Sequence, residues 1–564
     1  MIRSRIVVPM EPFHSSMLHG TRRAKMSLSR SCSPMQRILP LLFILLAAVA
    51  VRWESLNESL WLDELHSTWV ISGDWTDVAQ RARIGNQSPL YFYVLKCCRG
   101  IGGSYEPCIR LPSLLSVLAT TIMLYIIALR ATGSTAIGAL VATVAAFDPK
   151  FIFYATEARP YAVVQMVALM TVACFYYCVQ TPTMPRRVAW ITGSVLLCYL
   201  HYTAVLVPLT TALVLVWLWR SRGAVVQYSL TAYTIDISLV VISTVPLWSH
   251  MLQIAGRRQQ WEQFIPRPTG WTWFAKLDLD FLLLVPLLTF LAIRFVAEKK
   301  RQSSDDEPVK RTGAAIAATR SPHHAMFGVV TWLFALTPIV IVWTVSAGGW
   351  AVVLLYRYVI FVPPIALLTW CSMAHRLTSW RQSLFIAVVL AYCVYGMGYA
   401  TRWQQDRTFI RARGEDWRAV AAVVRRDKAP ILLRSGFVEA EQLMQVPPID
   451  EWDRAGAGPH GSERRSKAGA DLVEYCLGPL HAIYDFGEPS RIQWPLPNNL
   501  TEYDVKPVSD LLVDAREAWI IMRISRKRYK ESLAWAEALI TARGGGTVVA
   551  EKYGSLWLLR LEFK

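Results

Sequence analysis

Two adjacent carboxylates, Asp63 and Glu64, stand in the run Ser59-Leu60-Trp61-Leu62-Asp63-Glu64-Leu65-His66, just past the first long apolar stretch of the chain. Charged groups at a membrane surface are costly and are kept where they have a job. A carboxylate within hydrogen-bond reach of a hydroxyl can take its proton as that hydroxyl attacks. Further ionisable or polar residues lie at the ends of other apolar stretches: Arg110, the set Glu157, Arg159 and Tyr161, then His201 beside Tyr202, and Arg357 beside Tyr358. Each has a plainer reading. An Asp-Glu pair can be a solvated turn or helix cap, Glu157 and Arg159 an interfacial ion pair, and Arg110 an anchor at a helix end. His201 can be a satisfied structural histidine, and Arg357-Tyr358 a snorkelling pair.

The elements that would position these residues follow from composition. The chain has 564 residues, 54% of them hydrophobic and only 18% charged, with a mean hydropathy of +0.31, which excludes an ordinary soluble globular protein. Segments near the ~20 apolar residues needed to cross a bilayer occur at 37–53, 110–130, 135–156, 160–180, 188–203, 204–219, 224–248, 277–297, 326–346, 357–375 and 382–400. The expected architecture is therefore an α-helical polytopic membrane protein of about eleven spans. Residues 1–37 form a basic extension without an apolar signal core, so the first span reads as an uncleaved anchor.

Lysine and arginine in short loops stay on the cytoplasmic side. Arg3, Arg5, Arg22, Arg23, Lys25, Arg30 and Arg37 place the amino end there, and Arg130, Arg186-Arg187, Arg220 and the segment 299–320 agree. The loop 54–109 and the tail 401–564 then face outward. Rich in Trp and Tyr, the loop is suited to lie along the interface as short amphipathic helices. The tail reads as a soluble α/β domain, with a helix over 415–426 burying Trp417, Val420, Ala421 and Val424, a helix over 528–543, and strands at 431–433, 519–522, 546–549 and 556–561. A net charge of +18 is dispersed over loops and tail, which suits anionic lipid headgroups rather than nucleic acid. Ten cysteines without CxxC spacing indicate neither a disulfide framework nor a zinc site.

Trp61-Leu62-Asp63-Glu64, Ser88-Pro89-Leu90-Tyr91, Arg110-Leu111-Pro112-Ser113, Glu157-Ala158-Arg159-Pro160-Tyr161, His201-Tyr202 and Arg357-Tyr358 with Pro363-Pro364 resemble, in that order, the motifs of bacterial C-type (GT-C) glycosyltransferases related to the protein O-mannosyltransferases. The resemblance covers residues 38–400, and the tail is similar to the variable extracytoplasmic domains attached to such cores. It implies a cell inner-membrane enzyme that moves a sugar, with inversion, from a polyprenyl-phosphate donor to a lipid, glycan or protein acceptor. It also implies that the catalytic acids are Asp63 and Glu64, with the aspartate of the pair, Asp63, as the essential acid/base residue. The lipid phosphate gains negative charge as the sugar departs and needs cationic donors aimed at it. The arginine fork suits phosphate, so Arg357 is the first choice and Arg159 the second, with Tyr358, Tyr161 or His201 adding a hydrogen bond. A divalent cation shared by Glu64 and Glu157 is left open, with no metal ligands assigned because no spacing demands one. Transporters place polar groups near the midplane and often show repeated halves. A flippase for a lipid-linked intermediate is therefore the alternative, and a noncatalytic receptor the third reading.

Overall fold

The computed structural model describes residues 34–103, 105–221, 226–262, 277–302, 322–406, 413–434, 483–487, 492–496, 500, 502–524 and 526–564. The expectations for the basic extension before residue 34 and for the segment 303–320 lie outside the described residues.

Among the described residues, six helices are long and apolar enough to cross a membrane: Glu106–Thr132, Tyr161–Gln180, Tyr202–Arg220, Leu230–Gly256, Asp280–Lys299 and His324–Ala347. Two bent pairs, Thr135–Phe147 with Pro149–Ala155 and Ser379–Gly396 with Tyr399–Gln405, raise the number to eight if each is one span. The shorter apolar helices Met35–Ala50 and Val362–Ala374, with Met184–Leu200, fall on the other expected segments. Each of the eleven expected apolar segments is thus helical, and among the described residues six to eight of them also meet the length and apolarity needed for a continuous span, because the others are short or interrupted. The sharpest break, 61°, lies at Asp148-Pro149. There the Asp148 carboxylate accepts from the amides of Lys150 and Phe151 at 2.9 and 3.0 Å, capping a new helix that proline is shaped to begin.

The helices that carry the site are α1 (Leu62–Ser72), α2 (Glu106–Thr132), α3 (Thr135–Phe147), α4 (Pro149–Ala155), α5 (Tyr161–Gln180), α6 (Met184–Leu200), α7 (Pro322–Ala347) and α8 (Val362–Ala374). Helix α2 packs against α3, α5 and α8, while α5 lies along α6 and α7 along α8. Large aromatics fill the seams: Phe175 meets Trp190 and Phe334 edge-on at 5.7 and 5.9 Å, the geometry that aromatic quadrupoles favour. A polar seam joins α6 to its neighbour, where Arg187 donates to both oxygens of buried Asp236 at 2.8 and 2.6 Å. That satisfies an acid that an apolar bundle would otherwise expel.

The tail holds helices α9 (Trp417–Val424), α10 (Val505–Leu511) and α11 (Arg526–Ala542) and strands β1 (Ile431–Arg434), β2 (Ile492–Pro495), β3 (Glu517–Arg523), β4 (Gly546–Tyr553) and β5 (Leu556–Phe563). The sheet order is β2-β1-β3-β5-β4, with β1 parallel to β2 and β3, and β5 antiparallel to β3 and β4. Trp417, Val420, Ala421 and Val424 are the buried face of α9. Gly414 crosses Gly554 so closely that a Cβ at Gly554 would stand 1.9 Å from the Gly414 carbonyl.

Since Trp417 is fully buried and its indole donates to Glu415 at 2.9 Å, Trp417→Ala should destabilise the tail by about 3–5 kcal/mol. Thermal unfolding and limited proteolysis of the purified protein would show it, and an unchanged melt would contradict this packing.

Candidate active site

The first turn of α1 presents Asp63 and Glu64 to opposite surroundings. Consecutive helical residues are about 100° apart, so one carboxylate turns into the protein while the other faces a cleft. Glu64 is the inward one. Its Oε1 accepts from Arg110 Nε and the Ala158 amide, both at 2.8 Å, and its Oε2 from Arg110 Nη2 at 2.6 Å and the Trp61 amide at 3.4 Å. Both side chains of the pair are fully buried. Arg110 Nη1 also donates to the carbonyls of Ser55, Leu56 and Glu58 at 3.1, 2.9 and 2.7 Å. Burial alone would raise the Glu64 carboxyl, but the Arg110 charge and its hydrogen bonds, with Arg413 nearby and the Ala158 amide, outweigh it and hold the group below the ordinary glutamate range.

Asp63 is 30% exposed, and the nearest cation, Arg159 Nη2, stands 3.8 Å from its Oδ2. Arg159 Nη1 donates to the Asp63 carbonyl at 3.3 Å. Arg159 and Glu157 come from the turn between α4 and α5, which Ser113 of α2 fixes by donating to the Glu157 carbonyl at 2.6 Å. Glu157 is buried, and its Oε2 has no hydrogen-bond partner among the described residues. Burial raises its carboxyl to about 8, against the opposing pull of Arg159 and Arg413 and with the repulsion of Asp63 and Glu64. Around neutrality Glu157 is therefore a protonated acid.

Rings line the next wall. Tyr161 opens α5 and meets Tyr154 and His201 at 5.1 and 5.7 Å, and His201 meets Tyr358 at 6.3 Å. His201 ends α6, and its Nδ1 shares a hydrogen bond with Thr203 Oγ1 at 2.8 Å. Burial, then the charges of Arg357 and Arg159, lower it to about 3, so it is neutral. Arg357 lies on the short turn Tyr356–Val359 ahead of α8, half-buried, its guanidinium 5.5 Å from the Tyr358 ring centre. It makes no ion pair within 4 Å among the described residues. Tyr161 first, with burial opposing, then Tyr358 and Asp63, raise its pKa further.

Of the residues singled out in the sequence, Asp63, Glu157, Arg159, Tyr161, His201, Arg357 and Tyr358 gather at one end of the bundle, linked by these contacts. Glu64 and Arg110 belong beneath the cleft, where their polar atoms are spent on each other and on the backbone. As a pair that closes on itself, they leave Glu64 no lone pair to take a substrate proton. Among the described residues, no cluster of three or more His, Cys, Asp or Glu side chains has the arrangement to hold a metal ion.

Sequence reasoning missed four residues. His66, one turn after Asp63, is buried with neither ring nitrogen paired among the described residues; burial, then Arg159, lower it to about 3 against the pull of Asp63. Its three-residue spacing from Asp63 was the available signal. Lys150 forms an ion pair with Asp278 and lies 3.8 Å from the Tyr356 ring centre. From the tail, Arg413 donates to the carbonyls of Phe153 and Thr156 at 3.1 and 2.8 Å. Glu415 Oε2 accepts the Leu62 amide at 3.0 Å, holding the first turn of α1, while its Oε1 accepts from Arg523 at 2.5 Å. For these tail residues no local sequence signal exists.

The apolar helices and the one-ended cleft define an integral membrane protein with a polar site at one end of its bundle and an appended sheet domain. No protein-family model matches the chain, and no curated protein does. Among solved structures it is similar to ArnT from Cupriavidus metallidurans in the apo state, at 15% identity and TM-score 0.48 over 92% of this chain and 97% of that one. The same protein bound to undecaprenyl phosphate gives 16% identity and TM-score 0.48 over the same shares. An apo oligosaccharyltransferase from Archaeoglobus fulgidus gives 10% identity and TM-score 0.46 over 92% of this chain and 73% of that one.

Two outcomes follow from the geometry. Removing one partner of a closed buried pair leaves the other charge stranded, so Glu64→Ala should cost about 3–5 kcal/mol, read as a lower melting temperature in detergent, whereas an unchanged melt would contradict a buried, uncompensated Arg110. Glu157 has a folded-state pKa above its ordinary value of 4.5, so the stability it contributes is complete below 4.5 and is lost as pH rises towards about 8. Wild type should therefore lose stability relative to Glu157→Gln across that window, and parallel melting curves would refute the protonated acid.

Proposed function

We propose that the chain is a GT-C type glycosyltransferase that moves a sugar, with inversion, from a polyprenyl-phosphate donor to an acceptor at the outer face of a membrane, with Asp63 as general base. The observation that carries this reading is a partly exposed aspartate in the same cleft as a half-buried arginine, Arg357, that makes no ion pair within 4 Å among the described residues. An uncompensated cation in a poorly solvated cleft favours an anionic ligand. A neighbouring carboxylate can activate a hydroxyl.

In the proposed step the acceptor oxygen attacks the anomeric carbon and its proton passes to the Asp63 carboxylate. The bond between the anomeric carbon and the phosphate oxygen breaks, and the phosphate leaves as an anion facing Arg357. One carboxylate suffices for an inverting displacement. Arg159 holds the Asp63 backbone and lies beside its carboxylate. Tyr161, Tyr358 and neutral His201 supply hydrogen bonds and apolar faces. Glu157, protonated, can donate to a substrate oxygen. Glu64 and Arg110 hold the loop. The donor lipid would enter from the bilayer, the amino end would be cytoplasmic, and the tail would lie outside, in a bacterial inner membrane.

Asp63→Asn should keep folding and insertion and lower transfer by about 10²–10⁴-fold, the usual worth of a general base. Sugar release from a labelled carrier in reconstituted vesicles measures it, and retained turnover would exclude the role. Arg357→Ala should weaken donor binding by roughly tenfold to a hundredfold, the worth of a hydrogen bond to a charged group, and leave acceptor KM unchanged. Equal donor affinity would overturn that assignment. Carrier translocation without sugar release would instead identify a flippase.

A further inference from the structure

His66 follows Asp63 by three residues and so lies on the same face of α1. It is 5% exposed, and neither ring nitrogen has a hydrogen-bond partner among the described residues. Its ring meets those of Trp69 and Phe92 at 5.6 and 6.4 Å. Its other neighbour is the backbone at Gly85, where a Cβ would stand 2.2 Å from the imidazole. Only glycine lets a chain pass so near the ring. The segment passing there is fixed by its own hydrogen bonds. Helix Asp77–Ile84 ends with the Gln87 amide donating to the Ala82 carbonyl at 2.9 Å and the Asn86 amide to that of Arg83 at 3.1 Å. Asn86 is left-handed, with φ 55°, which completes a Schellman turn. Ser88 then donates to the Tyr199 carbonyl, two residues before His201.

The turn is thus held between His66 and the helix end that carries His201, and both histidines lie in the field of Arg159. Its amides are spent on ending the helix, but Asn86 Oδ1 and Gln87 Oε1 are buried without a hydrogen-bond partner among the described residues. Buried polar groups left unpaired call for a reason. We infer that His66, Asn86 and Gln87 form the subsite that holds the hydroxyl groups of the sugar on the lipid donor. This rests on the transfer reading proposed for Asp63 and Arg357. An imidazole and two primary amides each offer a hydrogen-bond donor and an acceptor, and a hydroxyl offers the same two. A phosphate, which only accepts, has nothing to give Asn86 Oδ1 or Gln87 Oε1, so it belongs with Arg357 while the ring lies toward His66. Three residues of helix rise about 4.5 Å, a distance comparable with one sugar ring, so a ring held at His66 is within reach of Asp63. A site that bonds hydroxyls discriminates against a substrate lacking them, which makes this turn the part of the chain that chooses the sugar.

The test uses the full chain purified in detergent. The probes are undecaprenyl phosphate, bare or esterified with glucose, mannose, galactose or arabinose, and bound carrier is read by native mass spectrometry. Wild type should hold at least one sugar-bearing carrier about tenfold or more tighter than the bare one, neutral hydrogen bonds being worth roughly twofold to tenfold each. Asn86→Gly, which suits the left-handed backbone, and Gln87→Met, which keeps the side-chain length, should each cut that advantage by about threefold or more. Both should leave the melting temperature and the affinity for bare carrier unchanged. His66→Phe, which keeps an aromatic ring, should cut the advantage in the same way. An advantage that survives all these variants, a wild type that gains nothing from any of the sugars, or an equal loss of bare and sugar-bearing carriers in the variants would overturn the subsite while leaving the transfer reading intact. Bare carrier that wild type fails to hold, or that Arg357→Ala holds equally well, would overturn the transfer reading and the subsite with it.

Discussion

The buried pair of Arg110 and Glu64 is the constraint on which the site depends. Two ions withdrawn from water are tolerated only when their attraction is joined by hydrogen bonds to every remaining donor and acceptor. Here Arg110 reaches four backbone carbonyls of the first loop besides the carboxylate, and Glu64 takes two amides besides the guanidinium. The pair thereby fastens three segments at one point: residues 55–59, the first turn of α1, and the turn carrying Ala158. Asp63 is held at the cleft because its neighbour cannot leave the interior. The amino end of α1 also carries the positive end of the helix dipole, which favours both acids in that turn.

The tail adds a second fastening on the same elements. Tyr484 shares a hydrogen bond with Ser59 at 3.0 Å and one with the Leu60 amide at 2.7 Å, Arg418 reaches Glu106 at the start of α2 at 2.6 Å, and Glu415 takes the Leu62 amide. A loop without such ties would sample many conformations, and a proton acceptor on it would spend little time in reach of a substrate. The sheet domain is thus joined physically to the site rather than hung beside it.

Local information made part of this arrangement legible in the sequence. Apolar runs located the helices because a bilayer demands length and apolarity together, but a run does not say where a helix breaks, and the kink at Asp148-Pro149 is set by capping within the run. The buried face of α9 was readable from a period of 3.6, and parts of β4 and β5 from the short runs 546–549 and 556–561. Asp63 could be favoured as the base, but the partner that withdraws Glu64 from the cleft, Arg110, stands 46 residues away, where no spacing rule pairs them. Arg413 and Glu415 act across more than 250 residues of chain, where no spacing rule reaches. His66 lies between, near enough to Asp63 to be suspected and too apolar in its setting to be ranked.

Charge at the cleft follows from these burials. His66 and His201 are neutral, because burial and the neighbouring arginines disfavour a further cation. Glu157 is neutral below about 8 for the converse reason, since an unpaired carboxylate in a dry site costs more than its proton. Glu64 and Arg110 cancel. Among the described residues, what remains at the cleft is Arg159 and Arg357 against Asp63, one positive charge in excess. An excess cation walled by tyrosine rings is poorly screened by salt, and the field it creates extends to whatever occupies the cleft. That imbalance is why an anion belongs there, and why it belongs nearer Arg357 than Arg159, which already has the aspartate beside it.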